Sequence, residues 1–277
     1  MELWSCERDF EFMGKGKGKM LWARNPSSIS NSPDDEEAWS NILDIEEKRV
    51  TLEVSPSVVA LVSYAGDEKV TEGSGTIIES NNDITIVLTS ANLVRRSSGG
   101  KFMKNDMIND LKIIVDYRDG QSYTGEIFAF DYHFNLAAIS FRSQVPLPTA
   151  KIGEVDDSLD VLPSPLSSEL IPHSYKLSPE AKVFAVGRMG RFSRKPFAPI
   201  VASGAYWVGR CGYDCKELFK ASCKIRECGE GGPLVNHLGE VIGITYYDFS
   251  STPCMPISIS HKWWQDFKTH RYVMIIV

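Results

Sequence analysis

Cys228-Gly229-Glu230-Gly231-Gly232-Pro233-Leu234-Val235-Asn236 is the stretch of this chain best placed to do chemistry. A glycine pair closed by Pro-Leu-Val, then a polar turn with Gly239 and the apolar run 241–244, reads as a tight loop feeding a buried β-hairpin. Such a loop presents main-chain N–H groups and one side chain, here the Glu230 carboxylate. The six cysteines, Cys6, Cys211, Cys215, Cys223, Cys228 and Cys254, are a second candidate. Spacings of three, seven and four intervening residues from Cys211 to Cys228 are unlike the two-residue chelate loops of structural zinc sites. Free thiols are therefore expected, with no metal and no cofactor. Cys228 as a nucleophile would need a base within hydrogen-bond reach, and its neighbours in sequence offer none. The five histidines, His133, His173, His237, His261 and His270, all lie outside segments 77–112 and 218–236.

Five ordered signatures between about residues 55 and 260 resemble those of the trypsin-fold serine proteases, closest to the Do-like (HtrA, DegP) branch. Gly73-Ser74-Gly75-Thr76-Ile77-Ile78 is similar to the family's Gly-Ser-Gly-hydrophobic strand. Leu88-Thr89-Ser90-Ala91-Asn92-Leu93-Val94 is similar to the segment that carries the general base, with Asn92 at the histidine position. Asp131-Tyr132-His133-Phe134-Asn135-Leu136-Ala137-Ala138-Ile139 resembles the Asp-Leu-Ala-Val-Leu segment, with Asn135 at the aspartate position. The run 183–187 resembles the opening of the second barrel, and the glycine loop places Glu230 where the nucleophilic serine belongs. The resemblance implies an all-β fold of two antiparallel six-stranded β-barrels, chymotrypsin/trypsin-like, with an N-terminal helix and a short C-terminal helix. It also implies a degenerate plant-type member lacking a PDZ domain, because the sequence stops about one helix after the second barrel. Oligomeric state is not legible here.

The triad chemistry needs a hydroxyl, a base to take its proton and a carboxylate to hold the base's tautomer. Asn92 is an amide and takes no proton near neutral pH, and Asn135 cannot supply the charge that stabilises an imidazolium. At the oxyanion loop, formed by Cys228, Gly229 and Gly231, the family's first glycine is replaced by Cys228. One expectation is that the Glu230 carboxylate accepts the loop's own N–H groups and fills the hole with an internal anion. The other is a surface glutamate with no partner.

The elements that must position these residues are short. Runs 57–63, 73–78 and 84–89 are β-branched and broken by Gly, Asn and Asp; 111–117 alternates, and Asp119-Gly120 makes a hairpin turn into 123–128. Helix-period signals are almost absent between 51 and 151, so this unit reads as an antiparallel barrel. Residues 183–187, 200–208, 218–225 and the glycine hairpin make a second unit, and 260–267 reads as a helix ending near Tyr272. The divisions are 1–50, a flexible arm and acidic helix; 51–155, a first barrel; 156–180, a connector; and 181–277, a second barrel with its helix. In the arm, Gly14-Lys15-Gly16-Lys17-Gly18-Lys19 is cationic. Ser32-Pro33 followed by acids starts a helix whose stripe of Trp39, Ile42, Leu43 and Val50 is expected to pack on the barrel that follows. The basic-aromatic loop 188–197 reads as a solvated surface or a partner site.

At 277 residues and a net charge of −6, the chain lacks the basic footprint of a nucleic-acid binder. Neither a secretory signal nor an apolar run long enough for a membrane helix is visible, so cytoplasm or nucleus is the expected compartment. The function expected is that of a non-catalytic protease homologue binding a protein or peptide partner in the inter-barrel cleft. The alternative is a serine-type endopeptidase whose catalytic residues lie elsewhere, with His133 or His237 near one of the chain's serines.

Overall fold

Strands dominate the residues described by this computed structural model, 44–95, 110–153, 180–207, 211, 215–248 and 251–274. The first six are β1 (Val58–Ala65), β2 (Glu68–Ser80), β3 (Thr85–Ser90), β4 (Leu111–Asp116), β5 (Ser122–Asp131) and β6 (Leu136–Phe141). They close an antiparallel barrel in the order β1-β2-β3-β6-β5-β4. The second barrel uses β7 (Lys182–Arg188), β8 (Pro199–Trp207), β9 (Phe219–Ala221), β10 (Pro233–Val235), β11 (Val241–Thr245) and β12 (Thr252–Pro256). Its ring runs β7-β8-β9-β12-β11-β10, the same order shifted by six. The two six-stranded barrels expected from the resemblance are thus present. The sequence reading stopped short of β12, whose Pro253 and Pro256 argue against a strand.

Strands such as β1, β6, β7 and β11 read as near-continuous apolar runs because both of their faces are buried. On β3, Val87 points into the first barrel's interior with Leu61, Ile113 and Ile139, while Ile86 and Leu88 point the other way. On β7, Val183 and Ala185 fill the second barrel, and Phe184 and Val186 leave it. The outward sets from both barrels meet in a third core, a seam that also takes Val50, Val54, Ile257 and Trp264 from two helices. The period-two pleat therefore feeds three cores from two barrels.

Helix α1 (Ile45–Val54) starts at Asp44, whose side chain accepts from the Glu47 amide at 2.7 Å while Glu47 reaches back to the Asp44 amide at 3.0 Å. This capping box satisfies two of the orphan donors of the first turn. α1 packs on β7 and β8 of the second barrel rather than on the barrel that follows it. Lys182 grips Asp44 and Glu46 at 2.7 and 3.1 Å, and Arg49 donates to the His237 carbonyl. Helix α2 (Ile257–Met274) follows β12 directly and crosses back to the first barrel, where the Trp264 indole N–H donates to Glu79 at 2.7 Å. The Gly-Lys arm, the helix start at Ser32 with Trp39, Ile42 and Leu43, Cys6, and nearly all of the connector lie outside the described residues. No helix among the described residues is long and apolar enough to cross a membrane.

Candidate functional site

The glycine loop is fixed by steric contact with the first barrel. A Cβ on Gly73 would stand 2.7 Å from the Glu230 carbonyl oxygen, and one on Gly232 would stand 2.4 Å from that of Val186. Gly231 has φ +82°, and its Cβ would meet Thr89 Oγ1 at 2.3 Å. Ser74 completes the joint: its amide donates to the Glu230 carbonyl at 2.7 Å, and its hydroxyl donates to the Cys228 carbonyl at 2.6 Å. These contacts require glycine and serine at those positions whatever the loop does chemically.

Asn92, Asn135 and Glu230, placed by three separate elements, come together at one point between the barrels. Glu230 leaves a 3₁₀ turn (Glu227–Gly229) and is only 4% exposed. Its Oε1 accepts from the Asn92 side-chain Nδ2 at 2.6 Å and from the Ser90 hydroxyl at 2.8 Å. Asn135 sits in the left-handed region at φ 51°, which asparagine tolerates better than most residues. Its Nδ2 donates to Ser90 Oγ at 3.0 Å, and its Oδ1 is buried without a donor among the described residues. Beneath the group, Tyr246 donates its hydroxyl to the carbonyls of Phe134 and Asn135 at 2.9 and 3.2 Å.

Ser90, absent from the sequence-based site, is its hub. It caps a 3₁₀ turn (Ala91–Leu93) by accepting from the Asn92 amide at 3.2 Å. With Asn92 N–H and Asn135 Nδ2 both donating to Oγ, the hydroxyl's two acceptor positions are filled and its proton points at Glu230. A serine that stands before an asparagine aligned with the family's base was the one signal that could have found it.

The carboxylate's partners differ from those expected. The Gly231 amide donates to the Thr245 carbonyl at 2.8 Å and the Glu230 amide to the Glu227 carbonyl at 3.0 Å. Gly229 N–H bonds the Arg226 carbonyl at 2.9 Å. Glu230 therefore reaches across to Ser90 and Asn92 on the first barrel and is buried, while the Gly229, Glu230 and Gly231 amides bond main-chain carbonyls. One of the two amides that would line an oxyanion hole, that of Glu230, is engaged inside the 3₁₀ turn.

Arg95 supplies positive charge nearby. Its guanidinium lies 4.5 Å from the Tyr132 ring centroid and donates to the Tyr132 carbonyl at 3.3 Å. Burial pulls its pKa down to about 10, and the charges of Tyr132 and Glu230 oppose that shift, so it stays a cation at neutral pH. Cys228 turns its thiol to the Met189 sulfur at 3.8 Å, and burial pushes it up to about 12. Such a thiol carries little thiolate at neutral pH. Among the described residues, no group of three or more His, Cys, Asp or Glu has the arrangement of a metal site. The described histidines make their contacts elsewhere: His133 packs its ring on Phe134, and His261 pairs with Gln265.

The loop 188–197, read as solvated or partner-binding, has a buried base. Arg188 is 2% exposed and donates to the carbonyls of Val58 (2.6 Å), Phe197 (2.6 Å) and Ser55. Arg191 makes a two-pronged contact with Asp116 at 2.9 and 2.6 Å, and its amide takes the other carboxylate oxygen at 2.9 Å. Both arginines thus bind the second barrel's first hairpin to the first barrel.

Sequence comparison agrees with this geometry. The pattern of the trypsin-like peptidase domain matches residues 73–244. The Arabidopsis thaliana protein named "Putative protease Do-like 14" is 30% identical over 203 residues, covering 69% of this chain and 40% of that protein. "Putative serine protease HhoA" of Synechocystis is 26% identical over 175 residues, covering 62% of this chain and 36% of that protein. The chain thus spans about two fifths of the length of the curated relatives it matches. With two barrels in matching ring order and the glycine loop at their junction, the chain belongs to the trypsin-like peptidase domain family, in its Do-like group.

Proposed function

We propose that this chain is a non-catalytic member of its family that works by binding a protein or peptide between its barrels. The observation that carries the reading is the Glu230 carboxylate, buried where the nucleophile belongs and held by Ser90 and Asn92. Acyl transfer needs an attacking hydroxyl, a base for its proton and N–H donors aimed at the developing oxyanion. Here the aligned position offers an anion, the base position offers an amide, and the Glu230 N–H is tied back to Glu227. Binding an extended peptide needs only backbone and pockets.

A second reading is a peptidase in which Glu230 serves as base to Ser90, favoured by their 2.8 Å hydrogen bond. The same hydroxyl accepts from two donors and is 3% exposed, which leaves no lone pair directed at a substrate carbonyl. A fluorophosphonate probe and casein turnover decide between the two. Neither labelling above a heat-denatured control nor turnover is expected, and labelling abolished by Ser90→Ala would overturn the proposal. The binding half is tested by native co-purification and mass spectrometry with Glu230→Trp and the half-buried Asn92→Trp. Each variant's fold is checked by circular dichroism. Partners lost from a folded variant support a working cleft; the same partners retained by both variants reject it.

A further inference from the structure

The loop 188–198 between β7 and β8 is held rigid at its base and raises an aromatic ring into solvent at its tip. Besides the Arg188 and Arg191 anchors, Met189 N–H bonds the Ala198 carbonyl at 2.9 Å, Phe197 N–H bonds that of Met189 at 3.1 Å, and Ser193 N–H bonds that of Gly190 at 3.1 Å. Phe197 is forced to φ 61°, a conformation rare for a bulky side chain and sustained only where its surroundings over-determine it. The carbonyl of that same residue receives Arg188. Within this frame Phe192 is 79% exposed, the most exposed phenylalanine among the described residues.

Charge carried by the loop itself is one-sided, although Asp116 pairs with Arg191 and Asp119 stands beside Arg118 on the adjoining turn. From 181 to 213 the sequence contains no Asp or Glu, although the whole chain carries −6. Arg194 and Lys195 are exposed beside Phe192, and the Arg191 guanidinium carbon lies 6.0 Å from its ring centroid. Arg118, also exposed, lies on the adjoining turn between β4 and β5, where Gly120 approaches the Phe197 ring. An aromatic ring on an anchored backbone, with Arg194, Lys195 and Arg118 exposed around it, has the make-up of a binding hot spot. Stray exposed apolar residues are normal, but they do not ordinarily sit on strained, multiply anchored loops.

We propose that this loop is a docking surface for an acidic segment of a partner protein, one that offers an apolar pocket or side chain to Phe192 and carboxylates to Arg194, Lys195 and Arg118. Charge complementarity selects this occupant: the loop's positive face would repel a basic partner and gives a neutral one no advantage. The surface is distinct from Glu230 and its neighbours, so the proposal stands whether or not the cleft binds peptide.

The test is to pan a random dodecapeptide library displayed on phage against the immobilised full chain. The sequences it enriches are then measured by fluorescence anisotropy as labelled synthetic peptides. Sequences rich in Asp and Glu with an apolar residue are expected. Their affinity should fall by about tenfold or more in Phe192→Ser and again in Arg194→Glu/Lys195→Glu. Affinity should also fall with added salt, and Asn92→Trp should leave it unchanged. Enrichment of non-acidic sequences, or of acidic ones indifferent to both loop variants, would overturn the proposal. So would a surface that binds acidic peptides only after Asp34, Asp35, Glu36 and Glu37 are neutralised, because the chain's own acidic run would then be the occupant.

Discussion

Replacing Arg188 with methionine keeps the length of the side chain and removes every donor. Arg188 is 2% exposed, and three main-chain carbonyls receive its guanidinium. Those of Ser55 and Val58 belong to the start of the first barrel, and that of Phe197 belongs to the second barrel's loop. Burial pulls its pKa down to about 10, so at neutral pH the group is still a cation. Hydrogen bonds from a charged donor contribute about 1.5–3 kcal/mol each, and desolvating the ion removes several kcal/mol of that sum. Taking the donor away deprives the Val58 and Phe197 carbonyls, while that of Ser55 keeps the Val58 N–H, and at about 1–3 kcal/mol for each deprived acceptor the net loss is about 2–6 kcal/mol. Urea unfolding of Arg188→Met should show that loss, with a fall of roughly 10 °C in Tm. Arg188→Lys should recover only part, because an ammonium cannot reproduce a planar fork aimed at three separate oxygens. Hydrogen exchange should show the first loss of protection in α1, the start of β1 and residues 189–198, before β3. A loss under about 1 kcal/mol, or a lysine variant as stable as the parent, would refute the reasoning.

Three further outcomes are expected. Gly231→Ala combines φ +82° with a Cβ placed 2.3 Å from Thr89 Oγ1 and 2.5 Å from the Ser74 carbonyl, so it should lose more than about 3 kcal/mol in denaturant titration despite changing no reactive group. Ser90→Ala should cost about 1–3 kcal/mol by the same measurement, because Asn135 Nδ2 loses its acceptor and Glu230 a donor. Alkaline pH should destabilise the fold through buried thiols: Cys223 and Cys228 are raised from 9.0 to about 12, and Cys254 is raised well above the ordinary thiol value, all by burial. A thiol whose folded pKa is raised gives stability that is complete below pH 9 and is lost as pH climbs through the folded value. At pH 10 the three together should remove about 4 kcal/mol relative to pH 8, and urea titrations at the two pH values showing equal stability would contradict this.

Much of the fold was legible because its signals are local. β1, β3 and β7 announce themselves as β-branched runs, and the Asp119-Gly120 turn appears with Gly120 at φ 86°. β12 was hidden by two prolines, tolerated where Pro253 pairs with Lys220 and Pro256 with Gly243. The common ring order of the two barrels left no trace as a sequence repeat, because it is set by pairings such as β3 with β6 and β9 with β12, across intervening strands. The packing of α1 was not legible for a similar reason: its partners Lys182 and His237 lie more than a hundred residues away in sequence. At the site, the three aligned positions could be numbered from motif order, but motif order says nothing about where a carboxylate turns. The sequence left Glu230 either gathering amides of its own loop or on the surface; the structure buries it against Ser90 and Asn92, and the Gly229, Glu230 and Gly231 amides bond carbonyls at the 3₁₀ turn and β11. Ser90 escaped notice because its role comes from Asn135, 45 residues away, and Glu230, 140 residues away.

The third core has a consequence for how the molecule comes apart. Ile86 and Leu88 from one barrel and Phe184 and Val186 from the other bury their apolar faces in this one shared core, together with residues of the two helices. A barrel made alone would carry a sticky wall where its twin should be. Halves divided between 153 and 180 should therefore be poor proteins singly, yet able to reconstitute when mixed, in the manner of a split reporter.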